Sequence, residues 1–139
     1  MTTRPRSGPN PESYGIGKSI VPIIQDPSKT VQDHTLFSYD DVFFVPASAP
    51  SGHIRAIREG DWTYAVYFGL DGNGLEYELY DRETDPGQLN NLLYDPATSD
   101  AKKEWPRLHR ILTDGLIDAG NLPDSFTWPF EPVMPSIHS

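Results

Sequence analysis

The sequence predicts an α+β fold: a small antiparallel sheet of about four strands packed against one long C-terminal helix, with irregular N- and C-terminal arms. Three observations carry this. Between residues 35 and 80, runs of aromatic and β-branched residues are separated by short turn segments, as in a meander. From Ser99 to Ala119, the residues Ala101, Trp105, Leu108, Leu112, Leu116 and Ala119 recur at spacings of three and four, the stripe of an amphipathic helix. The ends of the chain are rich in proline and carry no periodicity.

Taken in order, residues 1–15 read as a flexible arm. In the following segment Ser19 can cap one short helical turn, Pro22 is tolerated in its first turn, and Ile20, Ile23 and Ile24 share an apolar face before Asp26-Pro27 ends it. Thr35–Tyr39 reads as a strand, and Val42–Val45 as a second apolar run closed by Pro46; either can supply the fourth strand. After a loop from Pro46 to Gly52, His53–Arg58 alternates apolar with basic residues, the mark of a half-buried strand. Trp62–Phe68 is the best strand in the chain. Asp71-Gly72-Asn73-Gly74 forms a hairpin turn, because Gly and Asn accept positive φ, and Leu75–Tyr80 returns. The stretch Glu78–Leu92 then leaves that strand through an acidic turn, Asp85-Pro86-Gly87, into a short helical turn at Asn90–Leu93. Within the long helix, Pro106 marks a kink or the true first turn, His109 falls off the apolar stripe and is expected to be solvated, and Gly120 is a C-cap. Residues 16–120 thus form one α+β subdomain. The tail 121–139 holds Phe126, Trp128, Phe130 and Met134 among its prolines and is expected to dock in a groove of this domain or a neighbour, with homo-oligomerisation through the tail as one outcome.

Composition narrows the functions. A net charge of −9 repels phosphate backbones, which argues against nucleic acid as a partner. No apolar run approaches the ~20 residues that span a bilayer, so no membrane partner is expected. The polar, proline-rich N-terminus has no apolar signal core, which points to a cytoplasmic protein. With no cysteine, disulfides, thiolate metal sites and cysteine nucleophiles are excluded together.

Candidate chemistry is sparse. Asp40-Asp41 beside Tyr39 could ligate a hard cation, but adjacent strand residues point to opposite faces, and a strand terminus is the favoured reading. Asp71–Gly74 with Glu76 lacks the further ligands of a calcium loop. No pair among His34, His53, His109 and His138 has metal-binding spacing. His53, close to Arg55 and Arg58, could help receive an oxyanion, although an exposed strand face paired with nearby acids is favoured over that. No nucleophile elbow, phosphate loop or dinucleotide glycine pattern is present.

One stretch carries more. Glu78-Leu79-Tyr80-Asp81, Asp85-Pro86 and Asn91-Leu92 resemble the E-L-Y-D-L-x-x-D-P-x-E-x-x-N-L signature near the C-terminus of formylglycine-dependent sulfatases of the alkaline-phosphatase superfamily. Ile54–Arg58 with Trp62-Thr63-Tyr64 is similar to that family's preceding hairpin, and Gly17–Ile24 to its G-x-S-L-x-P-L-L segment. Arg82, Thr63 and Gln88 depart from the pattern.

The resemblance implies a C-terminal sulfatase subdomain of a sulfuric ester hydrolase, with a structural role and a share in the rim of the substrate pocket. The family's C/S-x-P-x-R nucleophile motif is absent, so no catalytic residue is carried over and the chain is expected to be inactive alone. Calcium and formylglycine are expected only in an N-terminal catalytic domain or subunit, the implied partner. Tyr39, Asp40, His53 and Arg55 are the rim candidates; Glu78, Leu79, Tyr80, Asp81, Asp85, Pro86, Asn91 and Leu92 form the structural signature. The alternative is a free-standing binding or interaction module derived from that subdomain. A small metal hydrolase built on Asp40, Asp41 and His53 is disfavoured.

Overall fold

A computed structural model describes residues 18–40, 52–69, 74–94, 101–122 and 126–133. The 1–15 arm, the Val42–Val45 run, Asp41, most of the Pro46–Gly52 loop, Asp71–Asn73, His138 and Met134 lie outside these. The chain divides into two compact units, residues 1–32 and 33–139.

In the first unit one helical turn, α1 (Val21–Gln25), carries Pro22 in its first turn. Its N-cap is Ile20 rather than Ser19, though the Ser19 hydroxyl accepts the Val21 N–H at 3.3 Å. Asp26 ends the turn, and its carboxylate accepts the N–H and hydroxyl of Ser28 at 3.1 and 2.7 Å. Ile20 and Ile24 are exposed.

The second unit is a four-stranded antiparallel meander under one helix. Strands β1 (His34–Asp40), β2 (His53–Glu59), β3 (Trp62–Phe68) and β4 (Glu76–Asp81) lie side by side in sequence order. The register sets Asp40 opposite His53, Phe68 opposite His53, and Leu79 opposite Tyr64. One face of the sheet therefore presents Leu36, Ile57, Tyr64, Val66, Phe68, Tyr77 and Leu79 to the helix α2 (Ala101–Asp118). Trp105, Leu108, Leu112 and Leu116 fill the stripe on the helix side, each 3% exposed or less. Burying each such side chain contributes about 1.5–3 kcal/mol before entropy is counted.

Three details set the helix. Pro106 lies inside α2, not in its first turn. Gly115 sits where a Cβ would stand 2.5 Å from a methyl of Leu36, so glycine lets β1 and α2 approach. At the C-terminus Gly120 takes φ +62°, and the Gly120 and Asn121 N–H groups bond Ile117 and Leu116 carbonyls at 3.0 Å, a Schellman motif.

The expected solvated His109 is instead fully buried. It stands four residues after Trp105 and three before Leu112, so it shares their stripe, and the tail covers this flank of the helix. The Trp128 ring stacks on the His109 ring at 5.6 Å, and Phe126 stacks on Phe68 at 4.3 Å. His109 Nε2 donates to the Pro129 carbonyl. A carbonyl can only accept, so Nδ1 is left to accept the Tyr64 hydroxyl at 2.7 Å. The Trp128 indole N–H donates to Thr113 Oγ1, which itself donates to the His109 carbonyl at 2.7 Å. Burial pushes the His109 pKa down despite the Pro129 bond and nearby Glu131. Of the described tail aromatics, only Phe130 is left exposed.

Candidate functional site

The polar cluster that the sequence singles out forms at one end of the β1–β2 pair. β2 arrives with an unusual parity: its buried residues are His53, Arg55 and Ile57, while Ile54 and Ala56 sit on the opposite, half-buried face. The apolar–basic alternation therefore does not place His53 and Arg55 on an exposed face; of the three basic residues only Arg58 is exposed. Arg55 is 1% exposed and His53 7%. A guanidinium is stable there only if its donors are met.

They are met. Nη1 and Nη2 of Arg55 hold the two Asp40 carboxylate oxygens at 2.8 and 3.2 Å. Nη1 also reaches the carbonyls of Ile54 and Tyr39 at 2.9 and 3.2 Å, and Nε donates to the Asn121 carbonyl at 3.0 Å. The cation lies over the Phe68 ring at 5.6 Å. On the same carboxylate, His53 Nδ1 meets Asp40 Oδ1 at 2.5 Å, and the imidazole stacks on Phe68 at 4.9 Å. Partial burial pushes the Asp40 carboxyl up, but hydrogen bonds from Arg55 and His53 outweigh it and hold the pKa below the usual value.

Of the four rim candidates, Asp40, His53 and Arg55 thus converge. Tyr39 does not: its ring is half exposed on the other face, and only its carbonyl joins the cluster. Asn121 is the member that sequence reasoning missed. Its carbonyl takes Arg55 and its amide nitrogen donates to Ser38 Oγ at 2.7 Å, tying the end of α2 to β1 and β2. The only local signal was its place just after a helix-ending glycine.

The arrangement is an orienting device more than a receptor. Arg55 has little donor capacity left for an oxyanion. Asp40 fixes the imidazole plane and engages Nδ1, which leaves Nε2 as the ring's remaining polar atom. Among the described residues no group of three or more His, Asp or Glu could hold a metal ion.

The signature stretch forms a separate, structural feature on the far side of the sheet. The Asn91 side chain accepts the Leu79 N–H at 3.1 Å and donates to the Tyr77 carbonyl at 2.9 Å, imitating a neighbouring strand, and the Leu92 N–H adds a bond to the Leu79 carbonyl at 2.9 Å. Asn91 Oδ1 also takes the Leu93 N–H at 3.2 Å. Asp81 accepts the Glu83 N–H at 3.0 Å, and one Asp85 oxygen accepts both the Leu89 and Asn90 N–H groups at 2.8 Å. Glu78 accepts the Tyr67 hydroxyl at 2.9 Å; burial and then this carboxylate push the phenol up to about 12. Leu79 is fully buried and Tyr80 half-buried.

With this geometry the chain can be set beside known proteins. A sulfatase from Bacteroides thetaiotaomicron (BT33494S-sulf), solved in work on a locus for glycosaminoglycan metabolism, superposes with a TM-score of 0.53 at 21% identity. The likeness is one of fold. It covers 76% of this chain and 22% of the sulfatase, so the chain spans about a fifth of that protein's length. No protein-family model and no curated protein matches the chain.

Proposed function

We propose that this chain acts as the C-terminal part of a sulfatase-like sulfuric ester hydrolase. In that reading it completes the enzyme structurally and contributes to the rim of the substrate pocket, while the nucleophile and metal belong to an N-terminal catalytic partner. The observation that carries the reading is the superposition on a sulfatase through three quarters of this chain but only 22% of the other. The E-L-Y-D…D-P…N-L stretch supports it, because its residues close the strand edge and turn described above. Within the rim, His53 is the residue offered to substrate, Asp40 orients it, and Arg55 holds Asp40.

The test begins with the coding sequence adjacent to this one. If it encodes a protein with the C/S-x-P-x-R motif, the two are co-expressed, and sulfate release is followed from 4-nitrophenyl sulfate and from a sulfated sugar. Co-purification with turnover, and a raised KM in His53→Ala at a temperature where the variant is still folded, are expected. Sulfate release by this chain alone, or full turnover by the partner without it, would sink the proposal.

A further inference from the structure

The two edges of the sheet are finished differently. The backbone parity follows from one bond: the Arg82 N–H reaches the Asp61 carbonyl at 2.8 Å, so this pair closes the β3–β4 ladder in the hydrogen-bonded phase. Counting across the register, Thr63, Ala65 and Tyr67 bond β4, whereas Trp62, Tyr64, Val66 and Phe68 bond β2. On the β4 edge the groups of Tyr77 and Leu79 then face outward, where Asn91 and Leu92 meet them. On the β1 edge the same count leaves the backbone groups of His34, Leu36, Ser38 and Asp40 facing outward. Among the described residues none bonds them. The strand, His-Thr-Leu-Phe-Ser-Tyr-Asp, contains no proline and no Lys or Arg, the devices that blunt a free edge. It also exposes Phe37 at 55% and Tyr39 at 50%.

We propose that this edge is an interface with a second copy of the chain, β1 pairing antiparallel with β1 of the copy about a two-fold axis at Phe37. The strand is self-complementary in that register. Its four outward-facing residues meet in hydrogen-bonded pairs, Leu36 with Ser38 and His34 with Asp40 of the other copy, giving about eight backbone bonds. The His34–Asp40 pairing sets an imidazole against a carboxylate at each end, and Thr35 faces Tyr39. Phe37 falls on the axis, opposite itself, as a non-hydrogen-bonded pair. An isologous contact of this kind closes as a dimer and joins two four-stranded sheets into one. Two copies at −9 each repel, so the dimer should strengthen as salt rises. This goes beyond the sulfatase reading and does not depend on it.

Sedimentation velocity and light scattering on the full chain, from a few to several hundred micromolar, should give a reversible dimer. An interface of this small area should have a midpoint on the order of tens of micromolar. Phe37→Lys should be monomeric throughout with an unchanged circular dichroism spectrum. The native chain has no cysteine, so Phe37→Cys gives a single-site crosslink. A non-hydrogen-bonded pair holds its Cα atoms about 4.5 Å apart, within disulfide range. Phe37→Cys should therefore oxidise to a covalent dimer, while Ile117→Cys, exposed on α2, should not. A wild-type chain monomeric at every concentration and salt would overturn the proposal. So would a dimer indifferent to Phe37→Lys, or crosslinking through Ile117→Cys as fast as through Phe37→Cys. If a catalytic partner is found and its binding abolishes the Phe37→Cys crosslink, the edge belongs to that partner and the self-pairing is again overturned.

Discussion

His109 offers the sharpest test of how the tail is held. In His109→Leu the side chain keeps a comparable volume but has no polar atom, so the change isolates the hydrogen bonds. It leaves the Pro129 carbonyl and the buried Tyr64 hydroxyl without partners. Each buried orphan costs about 1–3 kcal/mol, which gives a loss of about 2–5 kcal/mol once a small gain from the apolar side chain is allowed. Adding Tyr64→Phe removes one of the two orphans and should restore about 1–2 kcal/mol, a non-additivity that distant sites do not show. Urea unfolding followed by tryptophan fluorescence reads this directly, since Trp128 stacks on His109 and Trp105 meets Tyr77, whose ring lies against His109.

The same histidine sets a pH signature. Its folded pKa lies below the unfolded value of about 6.5, so between the two the unfolded state binds more protons. Stability contributed by neutral His109 is complete above about 6.5 and is lost as pH falls through that value toward the folded one, with a limiting slope of about 1.4 kcal/mol per pH unit. The difference in stability between wild type and His109→Leu should therefore shrink from pH 7.5 to 5. An unchanged urea midpoint in His109→Leu, or a difference that stays flat or grows on acidification, would refute this account of the tail.

Other perturbations probe the rest of the fold. Arg55→Met should destabilise by about 1–3 kcal/mol, because it removes the donor from several carbonyls and from Asp40, which stays partly solvated and bonded to His53; Arg55→Lys should recover only part, and thermal melts of both will show the order. Asn91→Ala should cost about 2–3 kcal/mol and speed amide exchange at Leu79, read by hydrogen exchange, as the β4 edge loses its imitation strand. Gly115→Val should destabilise by about 1–3 kcal/mol through overpacking against Leu36, read as a lower melting temperature, and Leu36→Ala in the same chain should relieve part of it.

What was legible in the sequence was local. β3 begins and ends where the aromatic run does, and α2 departs from its apolar stripe by only a residue or two at each end, because both patterns repeat within one element. β2 was placed correctly in the chain but its faces were misjudged. Reading Ile54 and Ala56 as the inner residues is the cheaper choice until Asp40, Asn121 and Phe68 are known to surround Arg55. Those partners lie far along the chain, Asn121 sixty-six residues away, and no periodicity announces them. His109 was set off the stripe although it lies four residues after Trp105 and three before Leu112, and the Trp128 and Pro129 that cover it lie about twenty residues further on.

The closed state of Arg55 changes how a rim at this position could work. An arginine that reaches substrate must trade bonds with the protein for bonds with an anion, and here the exchange would take the donor from Asp40 and from the Asn121 and Tyr39 carbonyls in a partly buried place. The imidazole has no such constraint, since the carboxylate that fixes it occupies only Nδ1. Recognition by this corner would therefore pass through His53, with Arg55 acting as a positioning residue two bonds removed. The two roles separate in kinetics of the reconstituted enzyme. His53→Ala should raise KM by more than its loss of stability accounts for, whereas Arg55→Lys should change KM only as far as it lowers the urea midpoint.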